Sequence, residues 1–171
     1  MSKLELVRAL YDYNEYANNR VLETAAKLGV DELQRKQGTS FESVAGNLAH
    51  IMGAQVLWLE RWRGNKNRRS LTAVQSLRAL GLLREAFDAS HADLRVFLGN
   101  LTDDRLDAVL AYTDSAGTPY ERVLWQLMLH VGNHGPYHRA ETAMALTALG
   151  HNPGDLDYSY FEMAREAGNV S

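Results

Sequence analysis

The chain has 171 residues, 46% hydrophobic and 23% charged, with a formal net charge of −3. That is the profile of an ordinary soluble globular domain, and the weak negative charge argues against a nucleic-acid footprint. Cysteine is absent, which removes disulfides, thiolate metal sites and a cysteine nucleophile together and fits a cytoplasmic setting.

In chain order, the opening "MSKLELVRALYDY" lacks the apolar core and cleavage site of a signal peptide. Ser2 and Glu5 form the S-x-x-E box that satisfies two free amides at a helix start. From there Leu4, Val7, Leu10, Ala17, Val21, Ala25 and Leu28 recur at helical spacing, and Gly29 is the expected stop. A second start signal, Thr39 with Glu42, leads into "SVAGNLAHIMGAQVLWLERWRG", whose apolar stripe is Val44, Leu48, Ile51, Trp58 and Trp62. "GNKNRRS" (64–70) reads as a solvated basic loop. A third periodic run, Leu71 to Leu98, carries Val74, Leu77, Leu80, Leu83, Phe87, Leu94 and Phe97. In "LDAVLAYTDSAGTPY" the pattern alternates briefly around Asp114–Gly117, which predicts a small β-hairpin or an extended excursion. Thr118, Pro119 and Glu121 then supply an N-cap, a first-turn proline and a capping-box glutamate for a last helix running towards Gly150, with Pro153 beyond. Four long amphipathic helices in a single domain over 1–171 predict an all-α four-helix bundle. No run approaches roughly eighteen uninterrupted apolar residues, so no membrane span is expected.

Chemistry is concentrated in "LHVGNHGPYHRAE" (129–141), where three of the chain's six histidines stand at intervals of four. Positions four apart on a helix lie within about 40° of each other, one turn up. Two such imidazoles can converge on one ion of the zinc type. Three in a row cannot, because His130 and His138 are roughly 12 Å apart along the axis. One pair must be chosen, and a third ligand must come from another helix. His50 is the candidate, on a flank shared with Asn47, Ala54 and Leu57 where it can face a bundle interior. Taken singly, each histidine is as well explained as a hydrogen-bonded core or surface residue. His91, among polar neighbours, and His151, after the Gly150 stop, read as surface or capping residues.

Pro136 within this segment deletes a hydrogen bond to the carbonyl of Gly132 and crowds that turn. Two solutions are open. The helix kinks, with Gly132 and Gly135 relaxing the packing, or it breaks and restarts with Asn133 as cap and Pro136 in the first turn. Trp58, Trp62, Trp125 and Tyr137 either line an apolar pocket beside the site or simply fill the core.

"HIMGAQVLWLERW" and "HVGNHGPYHRAE" resemble the two signatures of DinB-like (DinB/YfiT) proteins. "YNEYANNRVLE" resembles that family's first helix and "GDLDYSYF" its C-terminal segment, so the resemblance touches nearly the whole chain. It implies an up-down-down-up four-helix bundle, often a homodimer, with a three-histidine site for a divalent metal. Carried over by position, the ligands are His50, His134 and His138, with His130 one turn before them as a pocket residue or a support behind the ligands. The implied metal is zinc or nickel, with iron or manganese as further choices, since histidines alone do not decide.

One departure matters. Where the family often reads H-R-G-Q, this chain reads His138-Arg139-Ala140-Glu141. Glu141 is then either an acceptor that orients an imidazole, or an occasional ligand, or an exposed helix glutamate paired with an arginine. The chain lacks the glutamate of HExxH and has no ExxH, which counts against a zincin and a di-iron bundle. Three neutral imidazoles leave a divalent ion its full charge and an open position, the pattern of catalytic sites. Relatives within the resemblance look like metal-dependent hydrolases or like S-transferases that use low-molecular-weight thiols. The expected partners are a small-molecule substrate and a second copy of the chain, not nucleic acid or membrane. The competing expectation is a non-catalytic helical dimer with a structural or stress-response role and no functional metal.

Overall fold

The computed structural model describes residues 2–65, 77–114 and 116–170. The first helix, α1 (Lys3–Ala25), starts on the predicted capping box: Ser2 Oγ accepts from Glu5 N, and Glu5 Oε2 accepts from Ser2 N. It stops short of Gly29, because the chain tightens at Ala26–Leu28. Gly29 instead caps α2 (Val30–Gln34), with the Glu32 carboxylate accepting from its amide at 3.0 Å.

The next helix, α3 (Val44–Trp62), begins at Ser43 and not at Thr39. The Thr39–Glu42 signal fails because Glu42 sits at φ 67°, a left-handed conformation that no helix passes through. Ser43 Oγ takes over the cap by accepting from Gly46 N. The described part of the third periodic run forms α4 (Leu80–Gly99). Part of the predicted run, and most of the basic loop at 64–70, falls outside the described residues.

A short α5 (Asp103–Asp107), capped by Thr102, leads into β1 (Val109–Thr113) and β2 (Pro119–Val123). These pair antiparallel from Val109↔Val123 to Thr113↔Pro119, which is the predicted hairpin. Asp114 closes its turn by accepting from the amides of Ala116 and Thr118. The helix start read at Thr118–Glu121 is therefore wrong. Thr118 lies in the hairpin turn and bonds Asp114, Pro119 to Glu121 pair with β1, and Pro119 is tolerated as the first residue of a strand. The helix proper, α6 (Leu124–Ala148), starts where Leu124 N donates to Ala108 O, a backbone substitute for a side-chain cap. It ends on Gly150 at φ 87°, with His151 N reaching back to Leu146 O. Finally α7 (Tyr158–Glu166) lays Phe161 against Tyr13 and Tyr16 of α1.

Four helices make the bundle: α6 packs on α1 and α3, α3 also packs on α4, and α1 touches α4. Two apolar blocks fix their directions. One joins the start of α1 and of α6 to the ends of α3 and α4, through Val7, Leu124, Trp62 and Leu98. The other joins the end of α1 and of α6 to the starts of α3 and α4, through Leu22, Leu146, Leu48 and Leu83. The order is thus up-down-down-up. Between the blocks lies a polar layer of buried Asn14, Asn18, Gln55, Ser90, His91, His138 and Arg139.

Candidate metal centre

The polar layer opens on one side to three imidazoles. His50 comes from the middle of α3, and His134 and His138 come from consecutive turns of α6. His138 is buried and the other two are half-buried. Their Nε2 atoms approach to 3.0 Å between His50 and His134. One ligand nitrogen from each of the three lies within 4.8 Å of the others. Ions of the zinc type hold imidazole nitrogens at roughly 2.0–2.1 Å, so a tetrahedral set needs them about 3.4 Å apart. The observed spread brackets that value, and small side-chain rotations close the set.

Protonation favours the same use. Burial, with the neighbouring imidazoles adding to it, lowers His50 and His134 to about 4. Both are therefore neutral near pH 7, the form that binds metal. Behind His138, its Nδ1 lies 3.0 Å from Glu141 Oε2. This bond fixes the ring so that Nε2 faces the site, the carboxylate–histidine arrangement that orients metal ligands. Burial would raise Glu141, but the bonds from Ser40 and His138 outweigh it and hold the carboxyl below its ordinary value. Of the readings open for Glu141, the orienting one matches the geometry.

A loop that the sequence did not mark supplies a wall of the site. Ser40 Oγ donates to Glu141 at 2.6 Å. Phe41 stacks on His50 with ring centroids 3.7 Å apart and planes 15° from parallel. Its backbone amide donates to Asn47 Oδ1. The only hint was Gly46: a Cβ there would lie 1.9 Å from the Phe41 carbonyl oxygen, so the loop can rest against α3 only at a glycine.

The remaining expectations divide. His130 is exposed and stacks on His134 at 6.0 Å, one turn outside the trio. Tyr137 is 63% exposed but touches His138 edge-on. Trp58 makes ring contacts with His130 and Tyr112. Trp62 is fully buried against Tyr11 and Phe97, and Trp125 packs on the same apolar block, as the core-filling alternative expects. His91 is not at the surface: it is 2% exposed, with Nε2 3.3 Å from Asn18 Nδ2. Its partner sits 73 residues away in sequence, which is why its polar neighbours misled.

Pro136 neither breaks α6 nor ends it. Gly132 and Gly135 also do something other than relax the helix. Added Cβ atoms would meet Leu10 Cδ2 at 2.3 Å and Asn14 Oδ1 at 2.7 Å, so the glycines let α1 approach closely. Arg139, unmarked by the sequence, points into the layer between the helices and donates to Asn14 and Asn18.

Comparison with known proteins agrees with this architecture. The chain is 22% identical over 156 residues to protein DinB of Bacillus subtilis (strain 168), covering 89% of this chain and 91% of that protein. A DinB-like protein from Bacillus cereus ATCC 10987 has a similar crystal structure, with TM-score 0.62 at 15% identity over 82% of this chain and 90% of that one. A conserved protein from Enterococcus faecalis superposes with TM-score 0.61 at 14% identity over 85% and 96% of the respective chains. The DinB family profile matches residues 1–169, and the chain belongs to that family.

Proposed function

We propose that the protein is a divalent-metal-dependent enzyme acting on small molecules, by hydrolysis or by transfer of a low-molecular-weight thiol. His50, His134 and His138 are its metal ligands, and zinc or nickel is its metal. The observation that carries this reading is the convergence of three imidazoles from two helices on one point, with a carboxylate behind one of them. A divalent ion held by three neutral ligands would supply Lewis acidity to a bound water or thiol.

The chain's own residues have definable tasks in this reading. His50 and His134 remain neutral well below pH 7, so they bind without first losing protons. Glu141 holds the His138 ring in one orientation and brings a negative charge close to the site. Phe41 covers one face of His50 and excludes water there. The open side is bordered by exposed His130, which packs on Trp58. The lack of any cysteine is compatible with thiol transfer, because a cosubstrate brings the sulfur.

The test is a paired assay of zinc- and nickel-loaded protein. One panel holds p-nitrophenyl esters and anilides; the other couples a small thiol to an electrophilic arene. Turnover in one panel, abolished by chelation and in His138→Ala, is the expected result. Metal-loaded protein that is inert in both, or activity indifferent to His138→Ala, would contradict the proposal.

A further inference from the structure

The two α6 ligands stand on opposite sides of a defect in their own helix. Pro136 has no amide hydrogen, so the carbonyl of Gly132 receives no bond from the residue four places on. His134 lies before the proline and His138 after it. A helix missing that bond can hinge there, and a swing of about 10° at the length of a histidine side chain displaces Nε2 by roughly 1 Å. Metal ligands need to be held to roughly 0.5 Å. Something must therefore hold the two turns in register.

Asn14 of α1 occupies that place. Its Nδ2 donates to the Gly132 carbonyl at 3.2 Å and to Leu10 O at 2.8 Å. Its Oδ1 accepts from Arg139 Nη1 at 2.8 Å. The amide orientation is settled by chemistry, since arginine only donates and a carbonyl only accepts. One side chain, 5% exposed, thus grips α6 on both sides of the proline: at Gly132, one turn before it, and at Arg139, next to His138. The approach requires Gly135, where a Cβ would sit 2.7 Å from Asn14 Oδ1. Tyr11 makes a parallel contact one turn earlier, donating to Met128 O at 2.9 Å.

We infer that Asn14 is a positioning residue for the metal site, substituting for the backbone hydrogen bond that Pro136 removes and so fixing His134 and His138 relative to each other. The inference rests on the metal reading above. It touches neither substrate nor ion.

The experiment is a double-mutant cycle on the whole chain, with Asn14→Ala, Pro136→Ala and the double variant, read by Co²⁺ titration and the visible Co²⁺ spectrum. In the natural background Asn14→Ala should weaken Co²⁺ binding about 10-fold and alter the spectrum, the usual size for a residue that supports a ligand. In the Pro136→Ala background the residue at 136 can bond to Gly132 itself, and the same substitution should change affinity by about 2-fold or less. Asn18→Ala is the control, because it removes the other Arg139 acceptor without touching Gly132, and it should leave affinity within about 2-fold. Equal losses in both backgrounds, or an Asn18→Ala effect matching that of Asn14→Ala, would overturn the inference. Hydrogen exchange of α6 amides in the metal-free proteins runs the same cycle without any ion. Faster exchange around residues 132–140 in Asn14→Ala, cancelled by Pro136→Ala, supports the role; unchanged exchange overturns it. A natural protein that fails to bind Co²⁺ would instead count against the metal reading, and the exchange cycle would still decide the role of Asn14.

Discussion

The two apolar blocks and the polar layer between them are built on different principles. In the blocks, Leu48, Leu83, Leu124 and Trp62 are buried by periodicity alone, each helix presenting one stripe inwards. Any residue of similar volume that keeps the stripe would serve nearly as well. In the layer, each side chain has named partners on another helix. Asn14 grips Gly132 and Arg139, Asn18 meets His91, and Gln55 donates to Ser90. Burying such groups costs unless every bond is made, so the layer is costly in stability and specific in geometry. The three-histidine cluster stands at the edge of this layer, with His138 belonging to both. The blocks hold the helices together, and the layer decides how they are aligned.

That contrast predicts where damage goes. Leu124→Ala, in the block, removes a fully buried side chain and should cost about 2–5 kcal/mol of unfolding free energy. The folded fraction should retain its metal stoichiometry, checked by denaturant melts beside metal analysis. Glu141→Gln should do the reverse. It replaces the acceptor on His138 by a weaker one and should lower metal affinity by about 10-fold with little change in the melt of the metal-free protein. Comparable losses of affinity in both variants would erase the distinction.

Acid gives a graded effect. His50 and His134 stay neutral in the fold down to about 4, whereas a free imidazole protonates near 6.5. Burial pushes His91 in the same direction. As pH falls, the unfolded chain therefore takes up protons before the folded one. The metal-free protein should lose stability from about pH 6.5 towards pH 4 and be flat above that range. Thermal melts across that range, with His134→Ala showing a shallower fall, provide the check. The smallest effect belongs to the surface: Lys36→Ala breaks an exposed pair with Glu42 and should shift stability by about 0.5 kcal/mol or less.

Legibility in the sequence follows the same division. The Ser2–Glu5 box, the hairpin at Asp114–Gly117 and the spacing of His134 and His138 are local patterns with local causes, and each stands where it was read. Two further cap patterns misled. Thr39 with Glu42 was undone by a left-handed residue, and Thr118 with Glu121 by the hairpin, whose turn takes Thr118 and whose strand pairing takes Glu121. A cap motif names residues able to cap and does not say whether another partner claims them. His91, Arg139 and Phe41 were not legible because their partners lie on other helices or depend on the close approach at Gly46. Of the site, the three clustered histidines and the Glu141 partner of His138 were readable, whereas the Ser40–Phe41 loop and the Asn14–Arg139 contact were not.

Metal stoichiometry tests the central claim most directly. Purified, untagged protein should carry about one equivalent of a transition metal, directly or after reconstitution with Zn²⁺ or Ni²⁺. His50→Ala, His134→Ala and His138→Ala should each lose it while remaining folded. No bound metal in the reconstituted natural protein, or full occupancy in the three variants, would contradict the account.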